Sequence, residues 1–187
     1  LSLHDALPIC FSIRATSDFL PSSGEFTLFG VKSNDSKLLE VRRKMGAVVE
    51  TPSLHPNMTA RDNLIQQTKA LGISDEKIDD VLKLVGLADT GNKKAKNFSL
   101  GMRQRLGIAF SLVGDPEFLV LDEPINGLDP QGIMEVREML IKLNQEKGIT
   151  ILIPSHILDE LSRLATHYGF IERGRVIKEM SAEELDK

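Results

Sequence analysis

The chain has 187 residues, 23 Lys plus Arg against 27 Asp plus Glu, a formal net charge of -4 and 41% apolar side chains. That balance excludes a disordered polymer and suits one globular domain with room for an appended subdomain, since domains commonly run to about 150 residues. The longest stretch without Lys, Arg, Asp or Glu is the 11 residues Gly148 to Leu158, against about 20 for a bilayer-spanning helix, and the single Cys10 excludes an internal disulfide framework or a cysteine zinc site.

The first segment, Leu1 to Leu20, lacks the basic start and long apolar core of a secretory signal. Its run Leu1-Ser2-Leu3-His4-Asp5-Ala6-Leu7-Pro8-Ile9 resembles sequencing-adapter DNA translated in frame, or else is an amphipathic lead-in. We therefore set residues 1–20 apart as a non-native or divergent lead-in to residues 21–187. Gly24 to Gly30 is expected to form a short strand bounded by glycines, and Met45 to Val49 another. Two helices follow. Thr59 caps the first, with Asp62 three residues on and Leu64, Ile65, Thr68 and Leu71 along one face. Ser74 caps the second, whose first turn carries Asp75 and Glu76 and whose face is Ile78, Val81, Leu82 and Val85.

The polar stretch Asp89 to Asn97 reads as a loop. It holds the one basic run, Lys93-Lys94-Ala95-Lys96; at a sequence pI of 5.6 the chain has no general basic field, and no nucleic-acid partner is expected. From Leu100 the pattern becomes helix, strand, helix, strand. Leu100 to Val113 is helical, and the all-apolar Phe118-Leu119-Val120-Leu121 suits a strand buried on both faces. Asp129 and Pro130 open a long helix striped by Ile133, Val136, Met139, Leu140 and Leu143. Ile149 to Ile153 reads as a second buried strand, Ile157 to Ala165 as a helix, and Tyr168 to Met180 as a hairpin turning at Arg173-Gly174. Strands alternating with helices predict an α/β fold with a parallel sheet, into which the helices from Thr59 onward, about residues 59–100, are inserted as a helical subdomain.

Three features carry chemistry. Asp122 and Glu123 end the buried strand, and ligands of open α/β sheets bind at that carboxyl edge. An Asp there can hold Mg2+ while an adjacent Glu orients or deprotonates a water for attack on a phosphoryl group; the bland reading is an acidic pair capping a helix. Phe98-Ser99-Leu100-Gly101-Met102-Arg103-Gln104-Arg105 opens a helix, where unpaired amides attract an anion, although Ser is also the commonest of N-caps and Gln104 and Arg105 read equally as a solvated helix face. His156 lies just past the second strand and follows Glu123 by 33 residues, at the same edge, as either a catalytic or a structural histidine.

In order and spacing these features resemble the ATP-binding subunits of ABC transporters. Phe98 to Met102 is similar to a degenerate LSGGQ signature, Phe118 to Pro124 to the Walker B strand with its catalytic Glu, Asn126-Gly127-Leu128-Asp129 to the D-loop, and His156 to the switch histidine. The resemblance extends from Pro21 to Lys187, and the segment Glu50 to Thr59 further resembles the subgroup linked to bacitracin and lantibiotic self-protection or resistance. It implies a P-loop NTPase-like parallel sheet, incomplete at the N-terminus, and the cofactors ATP and Mg2+. Glu123 would then polarise the attacking water, Asp122 would serve Mg2+ and His156 would contact the γ-phosphate. Ser99, Gly101 and Met102 would face nucleotide held by the opposite subunit, and Asp129 would communicate across that interface. The implied partners are a second ATPase subunit, as homodimer or heterodimer, and a transmembrane permease that holds the chain on the cytoplasmic face of the membrane.

Three departures qualify the resemblance. Glu50 stands where the family usually has Gln, in a loop that touches Mg2+ and the nucleotide and couples to the permease. Pro154 removes a backbone donor at a strand end, which a terminus tolerates. Most importantly, no Gly-Lys-Ser or Gly-Lys-Thr occurs anywhere in the chain, so the family's phosphate loop is missing. The expectation is an N-terminally truncated ATPase with impaired ATP binding, whose full-length form drives export of a peptide antibiotic or similar amphiphile. The alternative is a non-hydrolytic interaction module that binds a permease or a full-length sibling. A soluble relative acting on ribosomes or DNA would carry two such domains or coiled-coil inserts, and neither is seen.

Overall fold

The computed structural model describes residues 25–48, 54–155, 158–173 and 175–185. A small hairpin, β1 (Thr27–Leu28) and β2 (Val31–Lys32), turns through Phe29 and Gly30 at positive φ and is followed by the short helix α1 (Leu38–Arg42). The central sheet is β3 (Met45–Val48), β4 (Phe118–Leu121) and β5 (Thr150–Leu152), all parallel and with β4 in the middle. Val48 pairs with Leu121, and Val120 with Leu152. Parallel strands need long crossovers. The first contains helices α2 (Ala60–Leu71), α3 (Ile78–Leu84) and α4 (Leu100–Leu112); the second is α5 (Pro130–Lys147).

Helix α4 lies against β3, where Gly46 is required: a methyl group there would come within 2.6 Å of both the Ser111 carbonyl oxygen and Leu119 Cδ2. Leu106, Ile108 and Ala109 of α4, Val136, Leu140 and Leu143 of α5, and Leu119 and Leu121 of β4 are fully buried in one core. Helices α2 and α3 add Leu64, Ile78 and Val85 to it. Beyond β5 come the short helix α6 (Leu158–Leu161), the antiparallel hairpin β6 (His167–Glu172) and β7 (Arg175–Ser181), and helix α7 (Ala182–Leu185). Among the described residues, no helix is long and apolar enough to cross a membrane.

The elements differ from the sequence reading at five places. The expected Gly24 to Gly30 strand is a two-residue strand followed by a turn, and the segment after it holds a helix, α1, that was not expected. Ser74 is not the cap of α3: it accepts only the Glu76 amide, at 3.3 Å, and the helix begins four residues later behind Lys77, which makes no side-chain cap bond. Leu71 stands at the end of α2 with 52% of its surface exposed, because the helix stops at Gly72 before that turn reaches a partner. The expected helix to Ala165 is described as helical only over Leu158–Leu161.

The strand read as doubly buried, Ile149 to Ile153, is three residues long and has no strand on its far side among the described residues. Leu152 is 44% exposed there. It faces a groove of about 770 Å³ whose lining includes Val120, Leu140, Leu152, Leu164 and Tyr168. Apolar composition shows that a strand is built to be covered on both faces, which these residues do only on one.

Candidate functional site

Strand β4 delivers its two carboxylates through a change of backbone direction. The Asp122 amide donates to the Val48 carbonyl at 2.9 Å and so extends the β3–β4 ladder by one residue. Glu123 then takes φ 45°, a left-handed conformation uncommon for residues other than Gly, and its amide donates to Pro154 carbonyl oxygen at 3.4 Å. Asp122 is thus fastened to the end of β3 and Glu123 to the segment that follows β5. Left-handed non-glycine backbone costs on the order of 1–3 kcal/mol and recurs where geometry serves a site.

The Glu123 side chain is oriented by its own loop. Asn126 donates from Nδ2 to Glu123 Oε2 at 2.7 Å, and from its backbone amide to the Glu123 carbonyl at 3.1 Å. Gly127 follows at φ 72°, and Asp129 then caps α5 by accepting the Gly132 amide on Oδ1 at 3.1 Å. Gly132 is matched to that cap, since a Cβ there would lie 2.8 Å from the same oxygen.

At the start of α4, Ser99 accepts the Met102 amide on Oγ at 3.2 Å. The amides of Leu100 and Gly101 belong to the first turn, which has no acceptor within the helix. Arg103 donates to the Phe98 carbonyl at 2.6 Å, and Phe98 itself is buried, which anchors the entry to the helix. The Lys93 ammonium lies 5.9 Å above the Phe98 ring and 3.7 Å from Met102 Sδ. A methyl group on Gly127 would sit 3.5 Å from Leu100 Cδ2, and one on Gly101 3.9 Å from Gly132 Cα and Leu128 Cδ2. The Asn126–Asp129 loop therefore bridges the Glu123 carboxylate and the start of α4.

Of the residues singled out in the sequence, Asp122 and Glu123 follow β4, Asp129 caps α5, and Ser99, Gly101 and Met102 open α4, while Glu50 and His156 lie outside the described residues. Pro154 is buried two residues beyond β5 and contributes a carbonyl rather than a missing donor. Among the described residues no three His, Cys, Asp or Glu side chains cluster as a complete metal cage. A single carboxylate such as Asp122 nevertheless fits Mg2+, which is commonly held by one or two carboxylates plus phosphate oxygens and water.

Two residues of the site's frame carried no sequence signal that we read. Asn63 is fully buried; its Nδ2 donates to the carbonyls of Thr59 at 2.8 Å and His55 at 3.1 Å, while Oδ1 accepts the His55 amide at 2.8 Å. It closes the His55–Thr59 turn ahead of α2. Arg105, which the sequence left as a solvated helix face, instead joins three helices, as described below.

A parallel sheet with carboxylates at the carboxyl end of its middle strand and helices on the crossovers defines a P-loop NTPase-like α/β protein. The ABC transporter family model matches residues 13–126, and the chain belongs to that family. It is 45% identical over 168 residues to the bacitracin transport ATP-binding protein BcrA of Bacillus licheniformis, an alignment covering 89% of this chain and 55% of that protein. To the lantibiotic transport ATP-binding protein SrtF of Streptococcus pyogenes it is 49% identical over 137 residues, 73% of this chain and 59% of that one. The chain thus spans a little over half the length of the curated relatives it matches. Among solved structures, cbiO1 from Clostridium perfringens, part of the ABC transporter complex cbiONQ, superposes with a TM-score of 0.85 at 26% identity, over 100% of this chain and 77% of that one. The cassette MJ0796, solved as a dimer bound to ADP and Pi, gives 0.75 at 26% identity, over 93% and 79%.

Proposed function

We propose that the chain is the catalytic part of an ATP-hydrolysing subunit of an ABC transporter that exports a peptide antibiotic or similar amphiphile. The observation that carries the ATPase reading is Glu123, held at positive φ at the end of β4 with one carboxylate oxygen fixed by Asn126. A carboxylate so placed can order a water and accept its proton as that water attacks a phosphoryl group. Asp122 would hold Mg2+ together with Glu50, and His156 would contact the γ-phosphate. Mg2+ supplies charge neutralisation on the phosphate oxygens when bound.

Ser99, Gly101 and Met102 are read as contacts to nucleotide on a second ATPase subunit, with Asp129 at the interface between the two. The exposed first turn of α4 beside the Asn126–Asp129 loop supports that reading, and the dimeric MJ0796 is a solved relative with two such chains. The export substrate rests on the bacitracin and lantibiotic transport proteins named above. A permease partner would place the chain on the cytoplasmic face of the membrane. Within this scheme residues 21–187 form one ATPase domain and residues 59–100 its helical subdomain.

The phosphates are the incomplete part. With no Gly-Lys-Ser or Gly-Lys-Thr in the sequence, the 187 residues as they stand hold the triphosphate poorly, and hydrolysis belongs to a form that also carries a phosphate loop. The test is to replace Leu1 to about Ser17 by the corresponding upstream segment of the bacitracin relative and assay Mg-ATP hydrolysis. Turnover that vanishes in Glu123→Gln supports the reading. A completed protein that binds a permease yet never hydrolyses ATP favours the interaction module instead.

A further inference from the structure

One turn beyond the signature residues Ser99 and Gly101, Arg105 reaches two neighbouring helices. From Nη1 it donates to the carbonyls of Val85 at 3.4 Å and Gly86 at 3.2 Å, which close the C-terminal end of α3. From Nη2 it pairs with Glu135 Oε2 of α5 at 3.1 Å, and Glu135 Oε1 accepts Gln131 Nε2 at 3.2 Å in the first turn of that helix. The Arg105 side chain keeps only 16% of its surface, against 64% and 79% for Lys77 and Asp115, the exposed ion pair at the opposite end of α3. Exposed pairs contribute little, and shielded, hydrogen-bonded ones contribute more.

The position is specific in three ways. A helix C-terminus presents carbonyl oxygens and partial negative charge, which favour a cation. Gly86 has φ 66°, a conformation that favours glycine, and a Cβ there would lie 2.8 Å from Arg105 Nη1, so a side chain at this position would have to displace the guanidinium from its two carbonyls. On the other side, Arg105–Glu135 lies one turn along from the close approach of Gly101 to Gly132, so it closes the same α4–α5 contact that brings the signature beside the Asp129 cap. The guanidinium serves the two carbonyls from Nη1 and the carboxylate from Nη2, a spread over two nitrogens in one plane that the single nitrogen of a lysine ammonium does not reproduce.

We infer that Arg105 is a positioning residue that locks α3, α4 and α5 in one arrangement and thereby holds Ser99 and Gly101 in register with Asp129. This rests on the proposed role of the signature toward nucleotide on the second subunit. Rotation of α3 against α5 must break either the carbonyl bonds or the ion pair, so the lock has discrete states rather than a continuous range.

The test compares Arg105→Lys, Arg105→Ala and Glu135→Gln by two readouts. In the 187-residue chain, amide hydrogen exchange at residues 81–87 and 100–104 should quicken at least about 10-fold in both arginine variants, with no rescue by Lys, while β6 and β7 are unchanged. In the chain completed with the upstream segment of the bacitracin relative, kcat for Mg-ATP should fall about 10-fold or more with KM within about two-fold, since small misplacements of a site cost rate steeply. Exchange equal to wild type, full rescue by Lys, or a rise in KM without a fall in kcat overturns the inference. If the unaltered completed chain fails to hydrolyse ATP, the ATPase reading falls and the nucleotide part of this inference with it; the exchange result still decides whether Arg105 locks the three helices.

Discussion

The two sides of β4 differ although the sequence writes them alike. On the face packed against α4 the core is filled: Leu119 and Leu121 are buried, Gly46 of β3 abuts Ser111, and Leu106 and Ile108 close it. Toward β5 and the β6–β7 hairpin the described residues leave a groove of about 770 Å³, and Leu152 is 44% exposed. β4 reads as a short all-apolar run, and β5 as one interrupted only by Thr150. Such a run records the environment a strand is built for, and the neighbour that provides it must be found elsewhere in the chain or its partners. The carboxylates sit on the seam, with the Asp122 amide bound to the filled side and the Glu123 amide to the open one.

The largest expected effect separates the two sides directly. In the completed protein, Glu123→Gln should keep ATP binding and lower turnover by at least about 100-fold, the usual worth of base or water-orienting help. Asn126→Ala, which removes the Nδ2 hydrogen bond to Glu123 Oε2, should give a smaller loss in kcat. Steady-state kinetics check both; turnover within two-fold of the unaltered protein for Glu123→Gln removes the seam from the chemistry.

Stability should show the same asymmetry. Leu106→Ala removes a fully buried side chain from the filled side and should cost about 2–5 kcal/mol, as core truncations do. Leu152→Ala, on the open side, should cost under about 1 kcal/mol. Urea denaturation of the 187-residue chain measures both. Equal losses would mean that the groove is covered in solution. Binding of Mg-ATP to the same chain should be no tighter than about 1 mM, or about -4 kcal/mol, because the sequence contains no Gly-Lys-Ser or Gly-Lys-Thr to cradle the phosphates. Micromolar binding by calorimetry would show that Leu1 to Leu20 supplies a phosphate site of a kind not recognised in its sequence.

How much of this was legible follows from the range of the interactions. The caps at Thr59, Ser99 and Asp129 were readable because each joins residues three apart, and all three make the expected bond. The bounds of β4 and the apolar stripe of α5 were readable for the same local reason. The Ser74 cap failed where tertiary packing of Ile78 and Val81 sets the start of α3, so that hydroxyl spacing alone misplaces the first turn. Arg105, Asn63 and the Glu123–Pro154 bond were not readable, since their partners lie 20, 8 and 31 residues away or are backbone atoms with no sequence signature. The same holds for the open flank of β5: periodicity describes a strand and never its neighbours.

A comparably small effect tests the helical layer rather than the two sides of β4. Thr59 and Asp62 form a reciprocal capping box on α2: Thr59 Oγ1 accepts the Asp62 amide at 3.1 Å, and Asp62 Oδ2 accepts the Thr59 amide at 3.2 Å and its hydroxyl at 2.8 Å. Thr59→Ala should cost about 1 kcal/mol, the ordinary worth of an N-cap. The side-chain and then the backbone hydrogen bond from Thr59 hold the Asp62 carboxyl below its usual value of 3.8. A lowered native pKa means that the unfolded chain binds this proton more tightly, so the contribution is complete above the unfolded value and is lost as pH falls through the native one. Denaturation midpoints of the unaltered chain and Thr59→Ala should therefore differ most near neutral pH and draw closer as pH falls below 3.8 through the lowered native value, where the carboxyl takes its proton and its half of the box is lost. Asp62→Asn should flatten that pH dependence. A Thr59→Ala penalty that stays constant from neutral to acidic pH would show that the Asp62 charge takes no part in the cap.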